Sequence, residues 1–274
     1  MMSLFLDEQL SRHLGKSAVD PVAMAQAIAD LEAYCREPIR AIAARYWGSP
    51  KAPADESPAS LTAFYQTSDR YLYESTYTEG YADHRRMARL VVKAAQRWRL
   101  APVLDFGGGG GGMTLALAGR GIACEYADIP GKLTDFVRWR LSQRGFNVPI
   151  HDATQALPSA RYRAALAIDV LEHVPDLVEA LCRLKAALQP GGWLIGTHSF
   201  TDGDPLHLPG SRQYGDLRTF DHLMQSAGFQ YRGRLKPDLI SEQAYRWAHR
   251  PVAWAVRLSP KLKGGGNLLV YERG

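Results

Sequence analysis

The stretch PVLDFGGGGGGMTLALA, residues 102–118, decides the fold. Its apolar start predicts a β-strand at 103–106, and MTLALA at 113–118 predicts a helix. Six glycines between them allow a sharp turn and let the backbone approach a ligand without interference from a Cβ atom. A flexible glycine linker is the alternative, but a linker would not normally join strand to helix without polar spacers. The stretch therefore predicts a turn that binds a nucleotide-like ligand.

Beyond this turn, short apolar runs alternate with amphipathic helices, which is typical of a parallel sheet covered on both faces. The predicted strands are 103–106, 123–127, 148–151, 164–168, 193–198, 230–235 and 267–271. The predicted helices are 113–118, 133–144, 177–188 and 217–227. The fold class is α/β, a doubly wound seven-stranded mostly parallel sheet. Its last two strands should pair as a hairpin around an insertion, 236–266, whose structure the pattern does not define.

The first part of the chain has a different pattern. Apolar residues recur at helical spacing from about residue 10 to 47, and a proline-bearing loop follows at 48–58. An aromatic segment comes next, with Phe64, Tyr65, Tyr71, Tyr73, Tyr77 and Tyr81. We expect residues 1–86 to form an N-terminal helical lobe and 87–274 the sheet domain. The tyrosines either pack this lobe onto the sheet or line a substrate pocket, and the lobe could also form a homodimer interface.

Composition and charge argue against a nucleic-acid-binding protein, a membrane protein and a secreted protein. The net charge of +5 comes from arginines spread along the chain, which disfavours a nucleic-acid partner. No apolar run is long enough to span a membrane, and Asp7 and Glu8 interrupt the N-terminus too early for a signal peptide. Three scattered cysteines show neither metal-ligand spacing nor a disulfide framework, so we expect a cytoplasmic protein.

Asp105 narrows the choice of ligand, because six glycines match the dinucleotide fingerprint almost automatically. A carboxylate two residues before the first glycine would repel a pyrophosphate, which disfavours a dehydrogenase. It would attract a ligand that carries an ammonium group and no phosphate. S-adenosylmethionine is such a ligand.

Four stretches then resemble the class I S-adenosylmethionine-dependent methyltransferases, from about residue 87 to the end. VLDFGGGGG at 103–111 matches their first motif, and YADIP at 126–130 ends the second strand with an acid. HDA at 151–153 ends the third strand. AIDVLEHVPD at 167–176, followed by LQPGGWLIGT at 188–197, is similar to the small-molecule branch of this family. The order and spacing of the four stretches carry the resemblance, which implies a Rossmann-like methyltransferase fold.

The resemblance implies a cofactor site for S-adenosyl-L-methionine. The amino acid end of the cofactor should lie near Asp105, acting directly or through water, and near the three motif glycines, Gly107, Gly109 and Gly111. Asp128 should bind the ribose hydroxyls, and Ile129 should pack on the adenine. Asp152 should accept from the adenine amino group beside Ala153, unless Asp152 is only a turn residue. Asp169 or Val170 should border the ligand after the fourth strand.

Catalysis should depend on residues that follow the fourth and fifth strands, since ligands in such sheets lie at strand carboxyl ends. A base that removes the acceptor's proton would come from Glu172, His173, His198, His207 or Tyr214. We rank His198 first and His173 second, although each has a purely structural alternative. Tyr77 is the candidate from the aromatic segment. A metal site at Asp202, Asp204 and His207 is conceivable, but a solvated loop is the favoured interpretation, so the sequence predicts no metal.

Three functions remain open from the sequence. The first is methyl transfer to oxygen or nitrogen of a small-molecule acceptor. The second keeps the cofactor but attacks its aminobutyrate carbon, which releases methylthioadenosine by cyclisation or aminocarboxypropyl transfer. The third is a non-catalytic module that binds the cofactor and a partner.

Overall fold

The computed structural model describes residues 19–55, 57–200, 206–207, 209–235 and 268–274. The helices are α1 Pro21–Cys35, α2 Ile39–Gly48, α3 Pro58–Thr67, α4 Asp69–Tyr77, α5 Ala82–Arg97, α6 Gly112–Ala118, α7 Lys132–Gln143, α8 Leu177–Ala187, α9 Pro209–Arg212 and α10 Leu217–Ser226. Short 3₁₀ turns lie at Thr78–Gly80, Leu171–His173 and Gln213–Gly215. The strands are β1 Val103–Phe106, β2 Cys124–Asp128, β3 Ile150–Asp152, β4 Tyr162–Ala167, β5 Leu188–Gly196, β6 Phe229–Leu235 and β7 Leu268–Arg273.

The strands form one seven-stranded sheet in the order β3-β2-β1-β4-β5-β7-β6. Strands β1 to β5 are parallel to one another, and β7 is antiparallel to both β5 and β6. This architecture confirms the predicted fold class and the pairing of the last two strands. Strand β3 begins two residues later than predicted, at Ile150. The insertion between β6 and β7, residues 236–267, lies outside the described residues.

Alternate residues of the central strands pack on opposite faces of the sheet, as a doubly wound fold requires. Ala165 and Ala167 of β4 belong to one buried apolar cluster, together with Leu181 of α8 and Phe220 of α10. The opposite face carries Leu166, which packs with residues of α5 and α6 in a second cluster. Both faces are therefore covered, and only the strand ends remain available for a site.

Three of the helices before the sheet begin at N-cap residues whose side chains accept hydrogen bonds from the first turn. Asp20 accepts hydrogen bonds from the backbone N–H groups of Val22 and Ala23, both at 3.1 Å, at the start of α1. Ser57 and Ser68 cap α3 and α4 in the same way. The predicted helical span 10–47 is broken in the structure after Cys35, and its part before residue 19 lies outside the described residues. The predicted domain boundary at residue 86 falls within α5 and stays a prediction.

A buried ion network holds these helices against the glycine turn. The Arg140 side chain, 2% exposed on α7, donates two hydrogen bonds to Glu79, at 2.6 and 2.9 Å, and one to Asp30 at 2.8 Å. Arg140 also donates to the backbone carbonyl of Gly110. Arg144, directly after the end of α7, also binds the Asp30 carboxylate. One guanidinium therefore joins α1, the turn after α4 and the glycine loop. No helix within the described residues is both long and apolar enough to cross a membrane.

Candidate active site

A cavity of about 540 Å³ lies at the carboxyl ends of β1, β2, β3 and β4. Phe106 and Gly107, at the end of β1, lie in the middle of its wall. Residues after the neighbouring strands form its two sides. The β2 side consists of Asp128, Ile129, Ala153 and Thr154. The β4 side consists of Asp169, Val170, His173 and Val174. Tyr65 and Tyr71, from α3 and α4, also line the cavity.

Gly107 has no room for a side chain. A Cβ atom there would lie 2.5 Å from both Cγ atoms of Val170, and its φ of +65° lies in the left-handed region. Gly109 also has a positive φ, +54°, and its N–H donates to the Asp128 carboxylate at 2.9 Å. The glycine turn therefore fits closely against β4 and orients an acid from β2. Gly107 lines the cavity, whereas Gly109 faces Ser75 and Gly111 faces Val137.

Asp128 is held in place at the wall of the cavity by backbone and side-chain donors. Its Oδ2 accepts from the N–H of Gly109 at 2.9 Å and from the Tyr126 hydroxyl at 3.2 Å, and its Oδ1 accepts from the N–H of Ile129 at 2.7 Å. Burial raises the pKa of Asp128 to about 6, against the opposing effect of these hydrogen bonds. The carboxylate is thus preorganised to accept hydrogen bonds from a diol.

Asp105 has a different environment. Its side chain is 2% exposed, and its Oδ2 accepts from the N–H and the hydroxyl of Thr114, at 2.9 and 2.6 Å. Burial raises the pKa of Asp105 to about 6. Asp105 is not among the residues that line the cavity. Its visible role is to tie the end of β1 to the first turn of α6, and a direct contact with the cofactor stays a prediction.

The remaining residues of the β2 side come from the turns after β2 and β3. Ile129 and Ala153 line the cavity, and the N–H of Ala153 donates to the carbonyl of Asp128 at 3.0 Å. Asp152 does not line it. The Asp152 carboxylate accepts from the N–H and the hydroxyl of Thr154, at 2.8 and 2.6 Å, which is the geometry of a turn residue. Thr154, which the sequence did not single out, lies in the wall instead.

Asp169 begins the β4 side in a strained conformation. Its φ of +51° is left-handed although it is not a glycine, and such strain is concentrated at functional sites. Three contacts hold it there. Its N–H donates to the hydroxyl of Thr197 at 2.6 Å, and its Oδ1 accepts from the hydroxyls of Thr197 and Ser199, at 2.9 and 2.8 Å. The end of β5 thereby fixes the backbone that follows β4.

The three candidate catalytic residues, His173, His198 and Tyr77, lie in different environments. His173 lines the cavity, 6.1 Å from the ring of Tyr65. His198 does not line it. The Nε2 of His198 lies 2.7 Å from the carbonyl oxygen of Tyr214, and its ring packs against Phe220 at 5.0 Å. Burial lowers the pKa of His198. The geometry therefore favours His173 over His198.

Tyr77 is part of the N-terminal core. It is 2% exposed, stacks on Tyr73 at 5.2 Å between ring centroids, and does not line the cavity. Of the five tyrosines in the aromatic segment, Tyr65 and Tyr71 line the cavity. Burial, the charge of Asp128 and that of Glu172 raise the pKa of Tyr71 well above its ordinary value. Its phenol therefore stays neutral beside the cavity.

Several residues of the wall were missed by the sequence analysis. Thr62 and Pro58 come from α3, and Glu179 and Arg183 come from α8. The last two are four residues apart and lie 3.5 Å from each other, a helical spacing that is visible in the sequence. The wall of the cavity carries four acids, Asp128, Asp169, Asp176 and Glu179, and one arginine, Arg183. A cationic ligand therefore fits it better than a phosphate.

A comparison with sequence families identifies one match. The model of a methyltransferase domain matches residues 79–232, more than half of the 274-residue chain. The matched range begins at Glu79, which binds Arg140, and includes every residue of the β2 and β4 sides.

Curated relatives match this chain either over a short stretch or at a lower identity. The ubiquinone biosynthesis O-methyltransferase of Paramagnetospirillum magneticum is 34% identical over 96 residues, which cover 34% of this chain and 39% of that protein. The equisetin synthetase of Fusarium heterosporum is 26% identical over 195 residues, which cover 60% of this chain and 5% of that protein. The chain therefore spans less than half the length of either relative.

Among solved structures, a magnesium protoporphyrin IX methyltransferase from Synechocystis with bound S-adenosylmethionine is similar. The TM-score is 0.50 at 15% identity, and the match covers 82% of this chain and 100% of that protein. At this identity the likeness shows the fold. The matched family and this fold show that the chain belongs to the methyltransferase-domain family, as a class I S-adenosylmethionine-dependent methyltransferase.

Proposed function

We propose that this protein transfers the methyl group of S-adenosylmethionine to an oxygen or nitrogen atom of a small molecule. The observation that carries the proposal is one cavity with two different sides. The β2 side presents a preorganised carboxylate, Asp128, and the β4 side presents an imidazole, His173. A cofactor on one side and an acceptor on the other would then meet beside Phe106 and Gly107.

Residues of the β2 side and the middle of the wall would hold the cofactor. Asp128 would accept hydrogen bonds from the ribose hydroxyls, since a carboxylate has lone pairs for a diol in addition to its protein donors. Ile129 and Ala153 would flank the adenine with apolar surface. Gly107 would let the backbone approach the sulfur end closely. We assign Asp105 and Asp152 to shaping these turns, because their carboxylates bind Thr114 and Thr154.

Bound S-adenosylmethionine supplies a methyl carbon whose bond to the sulfonium breaks as the bond to the acceptor forms, leaving a neutral thioether. The residues of this chain need to align the acceptor, exclude water and remove the acceptor's proton. Tyr65 and Tyr71 would cover the acceptor from α3 and α4. His173 would contact the reacting oxygen or nitrogen, since it brings an imidazole to the β4 side of the cavity.

Oxygen is the first atom to test. The curated relatives named as ubiquinone biosynthesis O-methyltransferases match this chain at 29 to 34% identity over about a third of its length. Their name concerns their own pathway and their own acceptor atom, an oxygen. It nevertheless supports a partly apolar acceptor with a hydroxyl group, which the aromatic cover of the cavity also favours.

Identification of the sulfur product tests the proposal. The protein is incubated with S-adenosylmethionine and a panel of phenols, catechols and amines, and the products are identified by mass spectrometry. We expect S-adenosylhomocysteine together with a methylated acceptor. Methylthioadenosine would contradict methyl transfer and would indicate attack at the aminobutyrate carbon. Calorimetry that detects cofactor binding without any product across the panel would favour the non-catalytic module.

A further inference from the structure

Three side chains of metal-ligand type meet on the β4 side of the cavity. Glu172 and His173 lie on the 3₁₀ turn after β4, and His207 lies just before α9. One ligand atom from each residue lies within 4.8 Å of the other two. Glu172 is 1% exposed and His207 is 6% exposed, whereas His173 reaches the cavity. The cluster therefore connects a buried acid to the place where an acceptor would bind.

The hydrogen bond of His173 decides which of its ring nitrogens could act as a ligand. Its Nδ1 lies 3.2 Å from the carbonyl oxygen of Leu206. Because a carbonyl oxygen only accepts, Nδ1 carries the proton in the neutral ring, and Nε2 keeps its lone pair. Metal-ligating histidines almost always donate their other ring N–H to a carbonyl or carboxylate in this way. The contact between Nδ1 and the Leu206 carbonyl thus matches the one that metal-ligating histidines make with their other ring nitrogen.

The two segments that contribute the cluster are also tied to each other. The buried Ser211 hydroxyl donates to the carbonyl of Glu172 at 3.1 Å. The rings of His173 and His207 lie 4.8 Å apart between centroids, with an angle of 57° between their planes. The Leu206 carbonyl that orients His173 belongs to the residue before His207. The cluster therefore has a fixed backbone, as a preorganised ligand set requires.

We propose that Glu172, His173 and His207 bind a divalent transition-metal ion at the acceptor side of the cavity. Two imidazoles and one carboxylate are a ligand set used for zinc and for iron with open coordination positions. Ligand atoms around such an ion lie about 3.4 Å apart, given metal–ligand distances of about 2.0 to 2.2 Å. Small rotations of the side chains close the present spacing of up to 4.8 Å. The sequence did not indicate this site, because His207 is 34 residues from His173 and no short ligand spacing marks it.

An ion held there would leave its remaining positions to water or to the acceptor's oxygen on the side that His173 shares with the cavity. The acceptor's oxygen would then contact the ion in place of the imidazole, and His173 would assist proton removal through the ion that it holds. The ion would act as a Lewis acid that lowers the pKa of an acceptor hydroxyl, whose proton would pass to water. This role rests on the proposed methyl transfer. The metal site itself does not, because it follows from the three side chains alone.

Metal binding is measured directly on the tag-free protein after treatment with a chelator. Isothermal titration with ZnCl₂ and with MnCl₂ is combined with visible absorption spectroscopy in the presence of Co²⁺. We expect one ion per chain and a Co²⁺ spectrum with ligand-field bands. Glu172→Gln and His207→Ala should each weaken the affinity at least about tenfold. His222→Ala is the matched control, since His222 is an exposed histidine on α10, and it should bind as the wild type does.

The failure of this proposal is distinguishable from failure of the proposed function, because the titrations involve neither S-adenosylmethionine nor an acceptor. A wild-type protein that takes up neither Zn²⁺, Mn²⁺ nor Co²⁺ overturns the site. Variants that bind as tightly as the wild type place the ion elsewhere and also overturn it. Circular dichroism confirms that each variant is folded. If Glu172→Gln does not fold, His173→Gln, at a half-buried position, and His207→Ala still decide the outcome.

Discussion

The β2 side of the cavity is shaped mainly by backbone groups, whereas the β4 side is shaped mainly by side chains. On the β2 side, backbone groups close in sequence to each strand end carry the geometry, such as the N–H groups of Gly109 and Ile129 at Asp128. On the β4 side, His173 lies in the wall and packs against the rings of Tyr65 and His207, which come from distant parts of the chain. The first side depends on local turns, and the second depends on the tertiary fold.

This difference implies a division of labour. A surface fixed by backbone hydrogen bonds tolerates few changes and suits a ligand that is always the same. A surface fixed by side chains changes with single substitutions and suits an acceptor that differs between related proteins. We therefore expect substitutions on the two sides to separate into effects on cofactor affinity and effects on turnover.

The largest expected effect is that of His173→Ala. Turnover should fall by roughly 10²- to 10⁴-fold, the range for loss of a group that assists proton removal, while the affinity for S-adenosylmethionine stays unchanged. Steady-state kinetics and calorimetry check the two halves of this prediction. Unchanged turnover would show that the β4 side only shapes the cavity.

His198→Ala is the matched control for that experiment. Its ring packs against Phe200 and Phe220 and does not line the cavity, so the variant should be less stable but should keep its turnover per folded molecule. A variant at His198 that loses turnover, beside one at His173 that retains it, would restore the order that the sequence predicted.

Sequence alone was sufficient for most of the fold and for much of the β2 side. Strands and turns there are consecutive, so the position of Asp128 and Ile129 follows from one short motif. It was not sufficient for the environments of acids within the motif. Asp105 and Asp152 have the expected positions, but the neighbouring Thr114 and Thr154 take their carboxylates. The β4 side was harder still, because no local pattern brings His207 to His173 or distinguishes the buried Tyr77 from Tyr71 in the wall.

The next largest effect should come from the ion network that joins the helical lobe to the glycine turn. Arg140→Met leaves Glu79, whose side chain is 12% exposed, without its guanidinium, and breaking such a pair costs about 3 to 5 kcal/mol of unfolding free energy. Urea unfolding measures it. Arg138→Met is the control on the same helix, since Arg138 is 59% exposed in its pair with Asp135, and it should change stability by less than about 1 kcal/mol. Equal effects of the two variants would show that the network is not what holds the lobe.

A smaller effect is expected for Asp128→Asn. The amide keeps the shape but loses charge-assisted acceptors, so the affinity for S-adenosylmethionine should fall about 10- to 100-fold, with turnover at saturation nearly unchanged. Calorimetry with S-adenosylhomocysteine gives the same comparison without turnover. Asp152→Asn is the matched control on the same side and should have the weaker effect, because Thr154 already binds that carboxylate. The reverse order would assign the adenine contact to Asp152.

The smallest effect is a dependence of cofactor affinity on pH. Because burial raises the pKa of Asp128 to about 6, its carboxylate is protonated below that pH in the cofactor-free protein. A protonated acid loses acceptor capacity for the ribose diol, so affinity should fall as pH falls through about 6, by up to about tenfold for each further unit. Calorimetric titrations between about pH 5 and 8 measure this slope.

Two variants identify the acid that produces the slope. Asp105 has the same raised pKa of about 6 but does not line the cavity. Asp128→Asn should therefore abolish the pH dependence, and Asp105→Asn should retain it even if it lowers stability through Thr114. The opposite result would mean that the carboxylate beside the glycine run faces the ligand, as the sequence alone predicted. It would also place the cofactor's ammonium group against β1. The cofactor side of the cavity would then include β1 as well as β2 and would border directly on β4.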